Sequence, residues 1–261
     1  MKDELGERMK SQYEDRTRYF VPRRTYTIIR LDGKAFHTYT RRLQKPFDTD
    51  LSTDIDSAII AMLPHIQGAV FAYTQSDEIS VLVTDFALPT TSAWFDGNIQ
   101  KMASVSASII TAEFNHLRRM RHYETQPTMA DFKLAYFDAR VFTIPDRIEV
   151  MNYFIWRNQD CARNSISMLA QSVFSHKELQ GKSTIEMIQM LKEYGGWGSY
   201  DWENIIPLLK FGRLIVKEKY LETAVSPTTC VDFERTHWVS KPAWKFTESK
   251  EQLLNIIPKY E

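Results

Sequence analysis

The sequence predicts an α+β fold, with a ferredoxin-like βαββαβ unit over residues 1–145 and a mainly helical extension over residues 146–261 packed on it. Three observations carry that reading. Short β-branched and apolar runs are bounded by Gly, Asp or Ser, as strands are. Longer segments between them repeat their apolar residues at helical spacing. The two kinds follow one another as strand, helix, strand, strand, helix, strand.

Residues 2–12 read as a short charged helix, and residues 25–31 (TYTIIRL) as a strand that stops at Asp32-Gly33. Leu51, Ile55, Ile59, Met62, Leu63 and Ile66 make one stripe, which predicts a helix over residues 48–66. Residues 69–74 and 78–84 are two strands joined through Gln75-Ser76-Asp77, a hairpin. Ile99, Met102, Ser106, Ile109, Ile110, Phe114 and Leu117 give a second long helix over residues 98–117, and residues 132–144 a further strand. After Pro145 the pattern changes. Residues 146–174 make one long helix or two in succession, and residues 184–194 a shorter one. A glycine-rich turn follows from Gly195 to Gly198, with strand-like stretches at 214–220 and 228–233.

At 261 residues, 43% apolar and 25% charged, the chain can build a sizeable core, which argues against wholesale disorder, collagen-like repeats and a coiled coil. Its longest apolar run, residues 58–63, is far too short for a bilayer span, and the charged first 24 residues contain no apolar export core. The two cysteines, Cys161 and Cys230, form no CxxC and no disulfide framework, so the expected setting is the reducing cytoplasm. Net charge is zero, but residues 1–45 carry an excess of six positive charges that could meet phosphates.

The topology brings two acidic stretches together. In a βαββαβ sheet the first and second strands run parallel, so their C-terminal ends lie on one edge, beside the hairpin that follows the second. Asp32 should therefore approach Asp77 and Glu78. Singly, an Asp-Gly after a strand is a turn, and an Asp-Glu in a hairpin is solvated. Convergence on one edge is what points to chemistry: neighbouring carboxylates repel, and a divalent cation relieves them. Mg²⁺ prefers oxygen ligands, water and substrate phosphate, so the pattern suits metal-dependent phosphoryl transfer.

Other motifs fail on spacing. Gly181-Lys182-Ser183-Thr184 resembles the end of a P-loop, but the upstream glycine position holds His176 and no strand leads into it. Ser183 with Glu186 reads instead as a capping box. Gly195-Gly196-Trp197-Gly198 lacks a dinucleotide fingerprint, and the six histidines show no zinc spacing.

Three segments, in order, resemble one family. Arg30-Leu31-Asp32-Gly33-Lys34-Ala35-Phe36-His37 resembles the (R)(I/L)DGRxFH signature of the tRNA-histidine guanylyltransferases. Tyr73-Thr74-Gln75-Ser76-Asp77-Glu78-Ile79-Ser80 is similar to their YGQSDEYS segment, and Trp156-Arg157-Asn158-Gln159-Asp160-Cys161 to their WRQxDC helix. Lys45-Pro46, followed by Asp48, fits a further element, and the likeness spans roughly residues 1–175. Members that guanylylate histidine tRNA continue with HINNLYN, whereas here the run is Ala162 to Met168 and only Asn164 survives clearly. The chain therefore resembles the guanylyltransferase-like branch.

That resemblance implies a polymerase-type palm and template-dependent 3′-to-5′ nucleotide addition repairing the 5′ end of incomplete tRNAs. It implies activation of a 5′-monophosphate end by ATP or GTP, then attack by the 3′-hydroxyl of an incoming NTP. The alternatives are addition of a single G to histidine tRNA and, more remotely, a palm-type nucleotide cyclase. Asp32, the carbonyl of Gly33 and Asp77 would bind two Mg²⁺ ions, with Glu78 as the third catalytic residue. Lys34, Ala35, Phe36, His37 and Ser76 would hold nucleotide phosphates through amides and side chains, with Lys45 and Asn164 as further contacts. Candidates for RNA contact are Arg16, Arg18, Arg23 and Arg24, and the cluster Arg118, Arg119 and Arg121. The resemblance also implies a homotetramer with no membrane partner.

Overall fold

The apolar runs seen in the sequence become strands buried on both sides, so their inward and outward residues alternate between two cores rather than between core and solvent. The computed structural model describes residues 3–125, 132–194, 202–225 and 230–260. In chain order these form α1 (Glu4–Met9), β1 (Tyr26–Gly33), α2 (Phe36–Tyr39), α3 (Thr49–Met62), β2 (Ala69–Gln75), β3 (Glu78–Val83), α4 (Ile99–Thr125) and β4 (Phe137–Ile144). There follow α5 (Arg147–Gln171), α6 (His176–Leu179), α7 (Thr184–Tyr194), α8 (Pro207–Lys210), β5 (Arg213–Val225), β6 (Cys230–Pro242) and α9 (Lys250–Ile256).

The sheet runs β4-β1-β3-β2-β5-β6, with every neighbouring pair antiparallel. Its first four strands are the predicted βαββαβ unit. Residue 145 falls between β4 and α5, and the sheet draws strands from both sides of it, because β5 joins the edge of β2 through Ala72 to Thr74. The strand-like stretches of the extension are thus two 13-residue strands continuing the palm sheet, beside five helices among the described residues.

Alternation along the strands sorts the two cores. Ile29, Leu31, Ala72, Ile79 and Val81 face α3 and α4, where Ile55, Ile59, Met62, Ile110 and Phe114 close the first core. Ile28, Phe71, Tyr73 and Leu82 face α5, packing with Val150, Phe154, Phe246 and Leu253 in the second. A smaller cluster of Leu169, Ala170, Leu179 and Leu191 ties the end of α5 to α6 and α7. No helix among the described residues is long and apolar enough to cross a membrane.

Element ends depart from the sequence reading for local reasons. The first helix is shorter than predicted, giving way after Met9 to a π turn and a 3₁₀ turn. Helix α3 stops at Met62 because Pro64 cannot continue it, leaving a 3₁₀ turn at Leu63–His65. Helix α4 runs past Leu117 through the arginine cluster to Thr125. β1 does not stop at Asp32-Gly33: β4 supplies partners there, Asp32 facing Asp138 and Gly33 facing Phe137. The last predicted strand of the unit begins at Phe137 rather than 132. Helix α5 is one continuous helix, N-capped by Asp146. Ser183 and Glu186 make both bonds of the predicted capping box, and the Gly195 to Gly198 turn lies outside the described residues.

One buried side chain joins the extension to itself. Asn158, 1% exposed on α5, donates to the carbonyls of Phe211 (2.8 Å) and Trp244 (3.0 Å) and accepts from the amide of Phe246 (3.0 Å). Asn158→Leu takes the side-chain partner from the Trp244 carbonyl and the Phe246 amide, while the Phe211 carbonyl keeps the Tyr73 hydroxyl (2.8 Å); the loss should cost about 2–4 kcal/mol of stability. A urea titration showing no shift of midpoint would contradict this.

Candidate active site

Parity along the strands places the acidic residues. Arg30 and Asp32 on β1, Gln75 on β2, and Glu78 and Ser80 on β3 alternate onto the face covered by α5. Because β3 lies antiparallel between β1 and β2, the last residues of β1 sit beside the β2–β3 turn, with Leu31 opposite Ile79. Asp32, Gln75, Ser76, Asp77 and Glu78 therefore line one cavity of about 370 Å³, roofed by Asn164, Ser167, Met168 and Gln171 of α5.

The approach at the edge is close enough to require glycine. A Cβ at Gly33 would stand 2.8 Å from an Asp77 carboxylate oxygen and 2.3 Å from the ring of Phe36. Two non-glycine residues in the left-handed region flank this point, Ala35 (φ 51°) and Ser76 (φ 48°). Such conformations cost free energy and persist where the surroundings enforce them. At Ala35 the anchor is Phe36, buried among Tyr39, Phe114 and Phe137, while the amide of Lys34 donates to the carbonyl of Tyr136 (2.8 Å).

Crowding shows in the proton affinities. Burial, with the nearby charges of Asp32 and Glu78, raises the Asp77 carboxyl to about 6, against hydrogen bonds from its own amide and from Ser76. Burial also raises Glu78, while the guanidiniums of Arg157 and Arg30 pull the other way. Among the described residues Asp77 thus lacks the cationic partners that Glu78 has. Among the described residues no three His, Cys, Asp or Glu side chains are set to hold a metal by themselves. Two carboxylates in an open cavity, with the Gly33 backbone beside Asp77, instead suit a hard cation that keeps room for water and phosphate oxygens. The donor set fits Mg²⁺ in that sense.

Of the residues expected at the site, Asp32, Ser76, Asp77, Glu78 and Asn164 share the cavity. Lys34 and Ala35 are exposed in the turn that leaves β1 and His37 is exposed on the α2 turn that follows, while Phe36 gives its side chain to the core. Lys45 is exposed and precedes a cis proline, Pro46. Sequence reasoning missed Gln75, Ser167, Met168 and Gln171; only their position at the end of β2 and on the last turns of α5 marks them. It also missed the work of Arg157 and Arg30, each 2.7 Å from Glu78. Cys161 is buried against Tyr73, and burial pushes its thiol up to about 11, away from nucleophilic use.

The basic residues fall into two groups. Arg16 and Arg18 are exposed, bonded to Gln12 and Asp15. Arg23 pairs with Asp85 at 2.6 Å, and Arg24 gives its amide to the same carboxylate. On α4, Arg118 and Arg121 both bind the buried Asp54, whereas Arg119 is exposed over the ring of Phe132. Arg118 and Arg121, with Arg42 and Lys133, line a cavity of about 390 Å³.

A carboxylate pair at the edge of a palm-like antiparallel sheet suits a class of enzymes, those that carry out phosphoryl transfer on nucleotides. A family model described as tRNAHis guanylyltransferase matches residues 6–145, and the chain belongs to that family. A bacterial tRNA(His) guanylyltransferase (Thg1)-like protein solved in complex with ATP is 37% identical, with a TM-score of 0.83 over 97% of this chain and 99% of that one. A structure of a bacterial protein of the same description in complex with GTP is 36% identical, with a TM-score of 0.78 over 98% of this chain and 99% of the other. The tRNA(His) guanylyltransferase of the yeast Debaryomyces hansenii is 26% identical, covering 80% of this chain and 81% of its own length.

Asp77 generates a pH dependence in the metal-free chain. Its native pKa of about 6 lies above the ordinary 3.8, so the native state holds this proton more tightly than the unfolded chain. That contribution is complete below pH 3.8 and is lost as pH rises through about 6. Asp77→Asn should therefore be more stable than the parent at pH 8, by on the order of 1–2 kcal/mol, and match it near pH 4. Equal denaturation midpoints at both pH values would contradict this. Gly33→Ala should remain folded yet lose about a hundredfold in turnover, because it displaces Asp77; unchanged single-turnover rates would contradict it.

Proposed function

We propose that this chain is a template-dependent 3′-to-5′ nucleotidyltransferase that adds nucleotides to the 5′ end of incomplete tRNA. The observation that carries the reading is the meeting of Asp32 and Asp77 in a cavity with Ser76 and Asn164, at the sheet edge where Gly33 closes on Asp77. Two Mg²⁺ ions held by Asp32, Asp77 and the Gly33 carbonyl would polarise the reacting phosphate and lower the pKa of the attacking hydroxyl. The chain's own task is placement. Asp32 and Asp77 fix where negative charge can be neutralised, and Ser76 and Asn164 offer hydrogen bonds beside it. The loop from Lys34 to His37, with Lys45, presents donors to a triphosphate at the same edge.

Both stages of the reaction are phosphoryl transfers, so one centre serves them. A 5′-monophosphate end displaces pyrophosphate from ATP or GTP, forming a 5′–5′ link. The 3′-hydroxyl of the incoming NTP then attacks the RNA phosphate and expels the nucleoside monophosphate. A 5′-triphosphate end skips the first stage and expels pyrophosphate. Pairing with the opposite strand selects the base. Arg16, Arg18 and Arg119, exposed at two places, would meet RNA phosphate directly. Arg23, Arg24, Arg118 and Arg121 belong to the same basic surfaces with their geometry fixed by Asp85 and Asp54. The reading carries with it a cytoplasmic, homotetrameric enzyme.

Addition of a single G to histidine tRNA is the second reading, favoured by the family description matched over residues 6–145. The run after Cys161, where Asn164 alone keeps the HINNLYN pattern, favours the broader activity. Incubating the protein with Mg²⁺, NTPs and tRNAs lacking the first 5′ nucleotide separates the two. The expected result is that each template base recruits its complement and that Asp77→Ala abolishes extension. Addition of G alone, to histidine tRNA alone, would establish the second reading. No extension, with cyclic product from NTP alone, would make the chain a palm-type cyclase.

A further inference from the structure

Glu78 differs from the other two carboxylates of the cavity in being occupied. Its Oε2 accepts a hydrogen bond from a terminal nitrogen of Arg30 at 2.7 Å, and its Oε1 lies 2.7 Å from Nε of Arg157 as an ion pair without hydrogen-bond alignment. Arg157 is 3% exposed in the middle of α5, lies 4.0 Å from the ring centre of Trp156, and gives its hydrogen bond to Asp160. Asp160 in turn accepts from Arg163 at 2.8 Å. Charges therefore alternate from the sheet onto the extension, as Arg30, Glu78, Arg157, Asp160 and Arg163. Arg30 reaches Asp32 only at 3.9 Å, and Asp77 has no cation within ion-pair distance among the described residues.

An ion pair of this kind is a poor way to gain stability, because desolvating the charges offsets most of their attraction. What it does well is hold a carboxylate in one place. Glu78 follows Asp77 directly and pairs with Gln75 across the turn, so both of its oxygens could otherwise swing into the cavity. We propose that Arg157, assisted by Arg30, is a positioning residue that keeps Glu78 off the divalent cation, leaving Asp32 and Asp77 as the carboxylates that hold it. Three carboxylates around one hard cation would bind it tightly and take coordination positions that phosphate oxygens need; two leave them open. The WRN stretch of α5 thus acts on the centre without touching substrate. The proposal rests on the reading of Asp32 and Asp77 as the cation site.

The test is Mn²⁺ binding to the full metal-free chain, followed by electron paramagnetic resonance, with turnover on the 5′-incomplete tRNA measured in parallel. Arg157→Met should bind Mn²⁺ several-fold more tightly while kcat falls at least tenfold and KM for NTP holds, since Glu78 is then free to ligate. Adding Glu78→Gln to that variant should remove the gain in affinity. Arg157→Lys, which keeps the charge, should restore most of the parent's affinity and rate; should Arg157→Met not fold, Arg157→Lys with and without Glu78→Gln carries the comparison through its smaller gain. Unchanged or weaker Mn²⁺ binding in the folded Arg157 variants would overturn the proposal, as would a gain that persists with Glu78→Gln. Failure of the underlying reading looks different: the parent and Asp77→Ala would bind Mn²⁺ equally.

Discussion

The pairing of β3 between β1 and β2 is the constraint on which the rest depends. Because β3 is antiparallel to both, β1 and β2 must run the same way and end on the same edge. That fixes Asp32 and Gly33 beside the turn that carries Ser76 and Asp77, before any side chain chooses a rotamer. The register is in turn fixed by burial. Both faces of these strands are covered, so a slip of one residue would exchange the two cores and send Asp32, Arg30 and Glu78 to the wrong side. The site is exact to the same degree that the cores are.

Electrostatics then divides the carboxylates by role. Burial penalises the charged forms of Asp77 and Glu78, but the compensation is unequal. Glu78 has two guanidiniums in contact, whereas Asp77 has only hydrogen bonds and the repulsion of its neighbours. A protein that needed stability alone would have no reason to leave Asp77 in that state. The same logic applies to the backbone, since Ala35 and Ser76 hold left-handed conformations at the two ends of the site. Local free energy is given up at the edge where the carboxylates meet, and the two cores on either side of the sheet offset it.

The sequence made the centre legible because period-two burial and the order of elements determine which strand ends meet. Asp32, Asp77 and Glu78 could be placed from that alone, and the motif around Arg30 to His37 narrowed the chemistry. The roof was not legible. Ser167, Met168 and Gln171 reach the cavity only because α5 crosses the sheet at a particular angle, and residue spacing does not report a crossing angle. Nor could spacing show that Phe36, inside a phosphate-binding signature, gives its side chain to the core. The joining of β5 to β2 was hidden for another reason: a strand records its own alternation but not its partner. Arg118 and Arg121 read as an exposed basic cluster, because nothing in the helix period announces Asp54 on the facing helix.

The central claim is that a divalent cation and a nucleotide's phosphates are held where β1 ends beside the β2–β3 turn. Anomalous diffraction from crystals grown with Mn²⁺ and a non-hydrolysable NTP tests it most directly. The account predicts manganese peaks bounded by Asp32, Asp77 and the Gly33 carbonyl, with the triphosphate against the Lys34 to His37 loop. Manganese bound elsewhere in the chain, or none with nucleotide in place, would contradict it.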